Sequence, residues 1–162
     1  MFPRKAREIM MPVEQFATIT EDATLHEGIQ ALRQSLHLKD RPWHGNRILV
    51  VLDRNGNLSG ILTLRGVLTA VGLYELLRDP LFKSESWSWY FLKKLKEGSQ
   101  MRVRDVMRSY QVATVQADDE ILDVVRAFLK YNVNSLPVLD RGRLLGVVRI
   151  VDLFKVLSDY YS

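Results

Sequence analysis

The chain has 162 residues, of which 47% are hydrophobic and 26% are charged, and it contains no cysteine. A chain of this length can bury a core without disulfides. The missing thiols exclude a disulfide scaffold, a thiolate zinc site and cysteine catalysis. Its three histidines are too few to indicate a catalytic metal centre. The net charge of +4 favours anionic partners.

We expect no targeting signal in the amino-terminal residues. The basic stretch 1–7 runs into Glu8 without reaching an apolar segment, which argues against a secretory signal peptide. The longest apolar stretch, 48–52, is far shorter than the roughly 20 residues that a transmembrane helix needs. We therefore expect a soluble, cytoplasmic protein without membrane contact.

Five short blocks occur twice along the chain in the same order. The pairs are 6–10 with 103–107, 16–19 with 112–115, 22–25 with 118–121, 49–54 with 136–141, and 58–62 with 144–148. Chance does not easily produce five matches in one order, so the sequence predicts a tandem repeat. The first copy is longer by about nine residues, which lie between Ala31 and Leu49.

Each copy predicts the order strand, helix, strand, strand, helix. In the first copy, Thr24 and Glu27 form a capping box ahead of the first helix. In the second copy, the β-branched, alternating residues 111–116 predict a strand, and Asp118 is expected to cap the helix that follows. Two strands joined by a glycine turn come next, followed by a helix from Asp152 onward, whose apolar side is Leu153, Phe154, Val156 and Leu157.

The second copy resembles a CBS motif, and the pair of copies resembles a Bateman module. The resemblance rests on Val-Arg-Asp-Val-Met at 103–107, Val-Ala-Thr-Val at 112–115, Asn-Ser-Leu-Pro-Val-Leu-Asp at 134–140 and Gly-Val-Val-Arg-Ile-Val-Asp-Leu at 146–153. It implies an α/β (α+β) fold in which two CBS-type β-α-β-β-α repeats pack as a pseudo-twofold pair. We predict a first CBS motif at 1–73 with an insertion at about 37–46, a helical linker rich in aromatics and lysines at 74–100, and a second CBS motif at 101–162.

The resemblance also implies two clefts between the repeats that bind an adenosine-containing ligand, with AMP, ADP, ATP or S-adenosylmethionine as candidates. The family's ribose-binding signature is a Ser or Thr at the end of the third strand, followed three residues later by Asp. Each copy keeps half of this signature. The second copy has Asp152 but carries Arg149 in the hydroxyl position, and the first has Thr63 but carries Gly66 in the carboxylate position.

These residues have two interpretations each. The planar guanidinium of Arg149 suits a phosphate, so that Arg149 and Asp152 together would bind both ends of a nucleotide. Alternatively, Arg149 is a surface arginine paired with Asp152 itself. Asp152 and Thr63 either contact the ligand or only stabilise the starts of their own helices.

Further lining residues follow from the resemblance. The cleft of Asp152 and Arg149 would include Val147, Asn134, Ser135, and Ala17 and Thr18 from the other copy. The second cleft would include Thr63, Ile61, Asn46, Arg47, and Ala113 and Thr114 from the other copy. Thr18 and Thr114 are equally compatible with ordinary strand positions.

Two segments fall outside the repeat. The insertion 37–46 either covers a cleft or is a surface loop, and its histidines lack a third ligand for a metal. In the segment 86–96, the aromatic side chains either pack on the domain while the lysines face solvent, or form a partner or membrane-surface helix.

We predict a regulatory ligand-sensing module that binds a nucleotide and acts in trans on a protein partner of unknown identity. We also expect a homodimer, formed through outer helices that include Leu153, Phe154 and Leu157. The main alternative is an interaction or dimerisation scaffold with degenerate clefts, and a nucleic-acid-binding protein is less favoured. No catalytic residues are identified, since a nucleophile–base pair, a phosphate loop and a carboxylate cluster are all missing. We therefore do not expect an enzyme.

Overall fold

The fold is derived from a computed structural model, which describes residues 4–36, 47–70, 93, 101–109 and 113–161. The insertion 37–46 and, apart from Lys93, the segment 71–100 lie outside the described residues, so the interpretations of both stay predictions. The described elements are α1 (Ala6–Ile9), β1 (Met11–Pro12), a 3₁₀ turn (Val13–Gln15), β2 (Thr18–Thr20), α2 (Leu25–Ser35), β3 (Ile48–Leu52), β4 (Leu58–Thr63), α3 (Leu64–Ala70), α4 (Val103–Val106), β5 (Arg108–Ser109), β6 (Val115–Gln116), α5 (Ile121–Tyr131), β7 (Ser135–Asp140), β8 (Arg143–Arg149) and α6 (Ile150–Asp159).

The predicted repeat of strand, helix, strand, strand, helix is confirmed. It appears first as β2-α2-β3-β4-α3 and again as β6-α5-β7-β8-α6. In each copy the first two strands pair in parallel, and the second and third form an antiparallel hairpin. The crossover helix between the parallel strands is what such a connection requires. The fold is therefore a mixed α/β fold with two β-α-β-β-α repeats.

The chain divides into two compact units, and one of them combines two segments that are distant in the sequence. One, here called the first-repeat unit, is Ala17–Arg108, and the other, the second-repeat unit, combines Met1–Phe16 with Ser109–Ser162. The sheet of the first runs β2-β3-β4-β5 and that of the second runs β1-β8-β7-β6. The amino-terminal strand β1 thus completes the sheet of the second copy.

Two glycines make the outer strands possible. A Cβ added to Gly146 in β8 would lie 2.4 Å from the backbone oxygen of Met11 in β1. A Cβ added to Gly60 in β4 would lie 2.4 Å from the backbone oxygen of Arg108 in β5. Both distances are shorter than a non-bonded contact allows, so each glycine lets a neighbouring backbone approach its strand closely.

The segment before each outer strand is held by the same contacts in both units. The Ala6 N–H donates to the carbonyl of Asp119 at 2.9 Å, and the Val103 N–H donates to the carbonyl of Ala23 at 2.8 Å. Each segment adds an ion pair: Arg7 pairs with Asp118 in the second-repeat unit, and Arg104 pairs with Asp22 in the first-repeat unit.

The predicted helix caps have different outcomes. Thr24 precedes α2, and its hydroxyl accepts the Glu27 N–H at 3.1 Å, as predicted. The prediction that Asp118 caps α5 is wrong, because α5 begins at Ile121 with Glu120 as its cap residue. The Asp118 carboxylate instead lies 3.1 Å from the Arg7 guanidinium, whose charge lowers the pKa of Asp118.

Each unit has its own apolar core. Leu136 and Leu49 occupy the same place in the two copies, and both are fully buried. Leu153 of α6 also belongs to the core of the second-repeat unit. Its predicted availability for a dimer contact is therefore wrong, whereas its neighbour Phe154 is 69% exposed.

Candidate functional site

The carboxylate of Asp152 accepts three hydrogen bonds at the start of α6. The Arg149 Nε donates to Oδ2 at 2.9 Å, and the Arg149 Nη2 donates to Oδ1 at 2.7 Å. The Arg149 backbone N–H donates to Oδ2 at 3.1 Å. Asp152 therefore holds both the guanidinium and the backbone of the residue that precedes the helix.

The ion pair between Arg149 and Asp152 was one of two interpretations of the sequence, and the structure contains it. The hydrogen bond that Arg149 donates to Asp152 raises the pKa of Arg149, so the guanidinium stays charged. The side chains of Arg149 and Asp152 are 34% and 20% exposed, so each keeps part of its surface in contact with solvent. The pair is therefore partly shielded but still accessible to a ligand.

Several other predicted residues lie in the same unit as this pair. Ser135 is buried and lies opposite Arg149 in the pairing of β7 with β8. The carbonyl of Asn134 accepts the Ile150 N–H at 2.9 Å, and the Asn134 side chain is exposed. Val147 pairs with Met11 of β1, and its side chain is fully buried. The second copy thus brings Asn134, Ser135, Val147, Arg149 and Asp152 into one region of one sheet.

The first-repeat unit starts its last helix in another way. The hydroxyl of Thr63 accepts the Gly66 N–H at 2.9 Å, so Thr63 caps α3. A Cβ added to Gly66 would lie 3.2 Å from that hydroxyl and 3.4 Å from the Val106 carbonyl oxygen. The tight contact is with the Thr63 hydroxyl, so a side chain at position 66 would fit only if that hydroxyl moved by a few tenths of an ångström.

The remaining predicted residues of the first copy surround Thr63 in the sheet. Thr18 pairs with Val50, which in turn pairs with Ile61. The Ala17 carbonyl accepts the Val50 N–H at 3.1 Å. Ala17, Thr18 and Arg47 are exposed and Ile61 is buried, while Asn46 lies outside the described residues.

The two predicted clefts combine residues of both units. Ala17 and Thr18 belong to the unit of Thr63, whereas Ala113 and Thr114 belong to the unit of Asp152. The grouping of Ala17 and Thr18 with Asp152, and that of Ala113 and Thr114 with Thr63, therefore stay predictions.

A groove of about 210 Å³ lies beside Thr114 in the second-repeat unit, and sequence analysis did not identify it. Its walls carry charges of both signs, from Asp119, Asp123, Arg126 and Lys130. Arg126 is itself paired with Asp123 at 3.4 Å. The mixed charge and the open shape give the groove no evident preference for one ligand, so the pair at α6 remains the stronger candidate.

Two negative findings apply to the described part of the chain. Within residues 4–36, 47–70, 93, 101–109 and 113–161, no three His, Asp or Glu side chains cluster as metal ligands would. No helix in those ranges is long and apolar enough to cross a membrane.

Comparison with solved structures shows the same fold elsewhere. CBSX2 of Arabidopsis thaliana in complex with AMP superimposes with a TM-score of 0.70 and 16% identity, covering 99% of this chain and 100% of that one. The cytosolic domain of the Mg²⁺ channel MgtE in complex with ATP gives a TM-score of 0.63 and 24% identity, covering 96% of this chain and 50% of that one. At these identities the likeness establishes the fold.

Comparison with known sequences establishes the family. Protein MJ1004 of Methanocaldococcus jannaschii is 50% identical over 160 residues, which are 98% of this chain and 58% of that protein. This chain therefore spans less than two thirds of that relative. The family model of the CBS domain matches this chain twice, at residues 6–73 and at residues 103–159. With two matches that cover most of its length, the chain belongs to the CBS domain family and contains a tandem CBS pair.

Proposed function

We propose that this chain is a regulatory module that binds an adenosine-containing nucleotide in clefts between its CBS repeats and acts on a partner protein in trans. The observation that carries the proposal is the match of nearly the whole chain to a CBS pair in complex with AMP. The likeness to a CBS-containing cytosolic domain in complex with ATP supports it further. AMP, ADP and ATP are therefore the first ligands to test, and S-adenosylmethionine stays a prediction from the resemblance alone.

The polar groups at the start of α6 support this function. Arg149 offers a fixed, partly exposed guanidinium, which is the side chain best suited to a phosphate. Asn134 and Ser135 lie at the same end of the sheet. Binding regulates a partner only if the nucleotide prefers one arrangement of the protein over another. This is a binding role, and we propose no catalytic step.

Thermal unfolding with each nucleotide tests the proposal. A ligand at about 100 times its Kd stabilises a protein by about 2.7 kcal/mol, which raises the Tm measurably. We expect a rise with at least one of AMP, ADP and ATP, and a smaller rise in Arg149→Ala. Arg143→Ala is the matched control, because Arg143 is an exposed arginine on the same strand. If AMP, ADP, ATP and S-adenosylmethionine all leave the Tm unchanged, the proposed function is wrong.

The partner surface is proposed to be the outer side of α5 and α6. Leu122 of α5 is 70% exposed and Phe154 of α6 is 69% exposed, and Leu129 and Val151 are exposed as well. In the described part of the first-repeat unit, Leu68 is the one large apolar side chain of this kind. Exposed apolar side chains at this density are typical of interaction surfaces, so we expect a homodimer through the second-repeat unit.

The same surface favours the alternative function, an interaction or dimerisation scaffold whose clefts bind nothing. Sedimentation of Phe154→Glu, with Leu68→Glu as the control in the other unit, tests the dimer. We expect only Phe154→Glu to shift the chain towards the monomer. If the wild type is a monomer, or if Phe154→Glu leaves the dimer unchanged, the proposed dimer surface is wrong. A dimer combined with no nucleotide binding would favour the scaffold.

A further inference from the structure

Asp152 has little capacity left to bind a ribose. An ionised carboxylate offers about four acceptor positions, and Arg149 already occupies three of those on Asp152. The two adjacent hydroxyls of a ribose donate two hydrogen bonds and therefore need two open acceptor positions. Asp152 keeps one, on Oδ1, so it is unable to accept both hydroxyls while the ion pair holds.

Freeing Asp152 for the ligand would be costly. The pair is partly buried, and its separation would leave the guanidinium of Arg149 and the backbone N–H of the same residue without their acceptor. The ribose hydroxyls would compete for the carboxylate with a partner of opposite charge, and a hydrogen bond between two ionised groups is stronger than one from a neutral hydroxyl. A ligand at this site is therefore expected to leave the pair intact.

Arg149 offers the opposite chemistry to a carboxylate. Its guanidinium carries only N–H donors, of which Nε and one N–H of Nη2 point at Asp152. The Arg149 side chain is 34% exposed, and its other N–H groups do not donate to Asp152. A ligand that contacts these N–H groups must supply acceptors, and in a nucleotide the strongest acceptors are the phosphate oxygens.

We propose that Arg149, held in place by Asp152, is the residue that determines specificity at this site, and that it recognises the phosphate of the nucleotide independently of the ribose hydroxyls. The proposal rests on the proposed function. Asp152 is then a positioning residue, which orients the guanidinium and stabilises the first turn of α6. In the first-repeat unit we also expect no recognition of the ribose hydroxyls, because the hydroxyl of Thr63 caps α3 and Gly66 supplies no carboxylate.

Calorimetric titration of the wild-type chain with ATP and with 2′,3′-dideoxy-ATP tests the inference without any substitution. We expect the two affinities to agree within about threefold, and adenosine to bind at least about tenfold more weakly than ATP, since it lacks the charged acceptors. Binding of ATP together with dideoxy-ATP weaker by about tenfold or more would overturn the inference and leave the proposed function standing. No binding of any adenine nucleotide would overturn both.

Substitutions assign the roles within the pair. Arg149→Gln is expected to weaken ATP and dideoxy-ATP alike by at least about tenfold, while Arg143→Gln changes neither. Asp152→Asn keeps an acceptor for the Arg149 N–H but loses the ionic fork, so it should weaken both nucleotides by less. Combined with Arg149→Gln it should add no further loss. An additive loss, or a loss in Asp152→Asn confined to ATP, would show that Asp152 itself contacts the ligand and would contradict its positioning role.

Discussion

The two CBS repeats begin their last helices with the same geometry and opposite chemistry. In the first repeat, the residue before the helix, Thr63, accepts a hydrogen bond from the N–H of Gly66 three residues later. In the second, the later residue, Asp152, accepts from the N–H and the guanidinium of the earlier one, Arg149. Each solution satisfies the helix start, but only the second leaves a charged group at the surface. Two repeats of the same fold can therefore carry different chemistry at equivalent positions.

If the two units are built alike, equivalent core truncations should cost the same. We expect Leu49→Ala and Leu136→Ala each to lower the free energy of unfolding by about 2–5 kcal/mol, because each removes a fully buried side chain from the centre of its unit. Leu68→Ala, at an exposed position outside the proposed dimer surface, is the control and should cost less than about 0.5 kcal/mol. Urea titration measures all three, and a large cost in only one leucine would show that the units differ in their packing.

The two glycines beside the outer strands should also respond equally. Gly60→Ala and Gly146→Ala each place a Cβ where a backbone oxygen lies, at an expected cost of about 3 kcal/mol. Gly142→Ala is the control, because its positive φ makes the change unfavourable by about 1 kcal/mol while its surroundings are open. Thermal denaturation distinguishes these values. Equal costs at the three glycines would mean that the close approach of β1 and β5 contributes nothing.

The helix starts offer a smaller test that separates the two chemistries. Thr63→Ala should cost about 1 kcal/mol of stability, and Thr63→Ser should restore it, because the hydroxyl alone forms the cap. Asp152→Ala should cost about as much through loss of its acceptor, and Asp152→Asn should restore part of the loss. Neither change at Thr63 should alter nucleotide affinity. A loss of affinity in Thr63→Ala that Thr63→Ser restores would show that the hydroxyl touches the ligand.

The smallest expected effect is the pH dependence of the contact that holds the amino-terminal segment. Arg7 lowers the pKa of Asp118, so the folded protein favours the charged carboxylate. The stabilisation is complete above the unfolded-state pKa of aspartate, about 3.9, and is lost as the pH falls through the lower folded-state value. The difference in Tm between the wild type and Arg7→Ala should therefore be present at neutral pH and vanish in acid. A difference that persists in strong acid, or an equal one in Arg143→Ala, would exclude the ion pair as its source.

The sequence predicts the order of elements well, because periodicity, caps and repeats are local features. It fails where a distant partner decides the outcome. Aspartate is a residue type that often caps helices, which is why the sequence predicts a cap at Asp118. In the structure its carboxylate instead pairs with the guanidinium of Arg7, more than a hundred residues away. Arg7 and Arg104 occupy equivalent positions in the two copies, as do Asp118 and Asp22. These two matching arginine–aspartate pairs could have predicted that the segment before β1 packs on the second repeat and the segment before β5 packs on the first.

The candidate site was predictable to the level of residue types. The spacing of Arg149 and Asp152 permits either an ion pair across the helix start or two separate contacts to a nucleotide, and no sequence pattern distinguishes them. The three hydrogen bonds show that the ion pair forms and how much of the carboxylate it occupies, whereas contacts of either side chain with a nucleotide stay a prediction.

The most direct test of the account is an isothermal titration of AMP and ATP into the full chain, carried out on the wild type, Arg149→Gln and Thr63→Ser. The account predicts saturable binding of at least one of the two nucleotides to the wild type, an unchanged affinity in Thr63→Ser, and an affinity lower by at least about tenfold in Arg149→Gln. Failure of both nucleotides to bind the wild type, at concentrations up to the millimolar range, would contradict it.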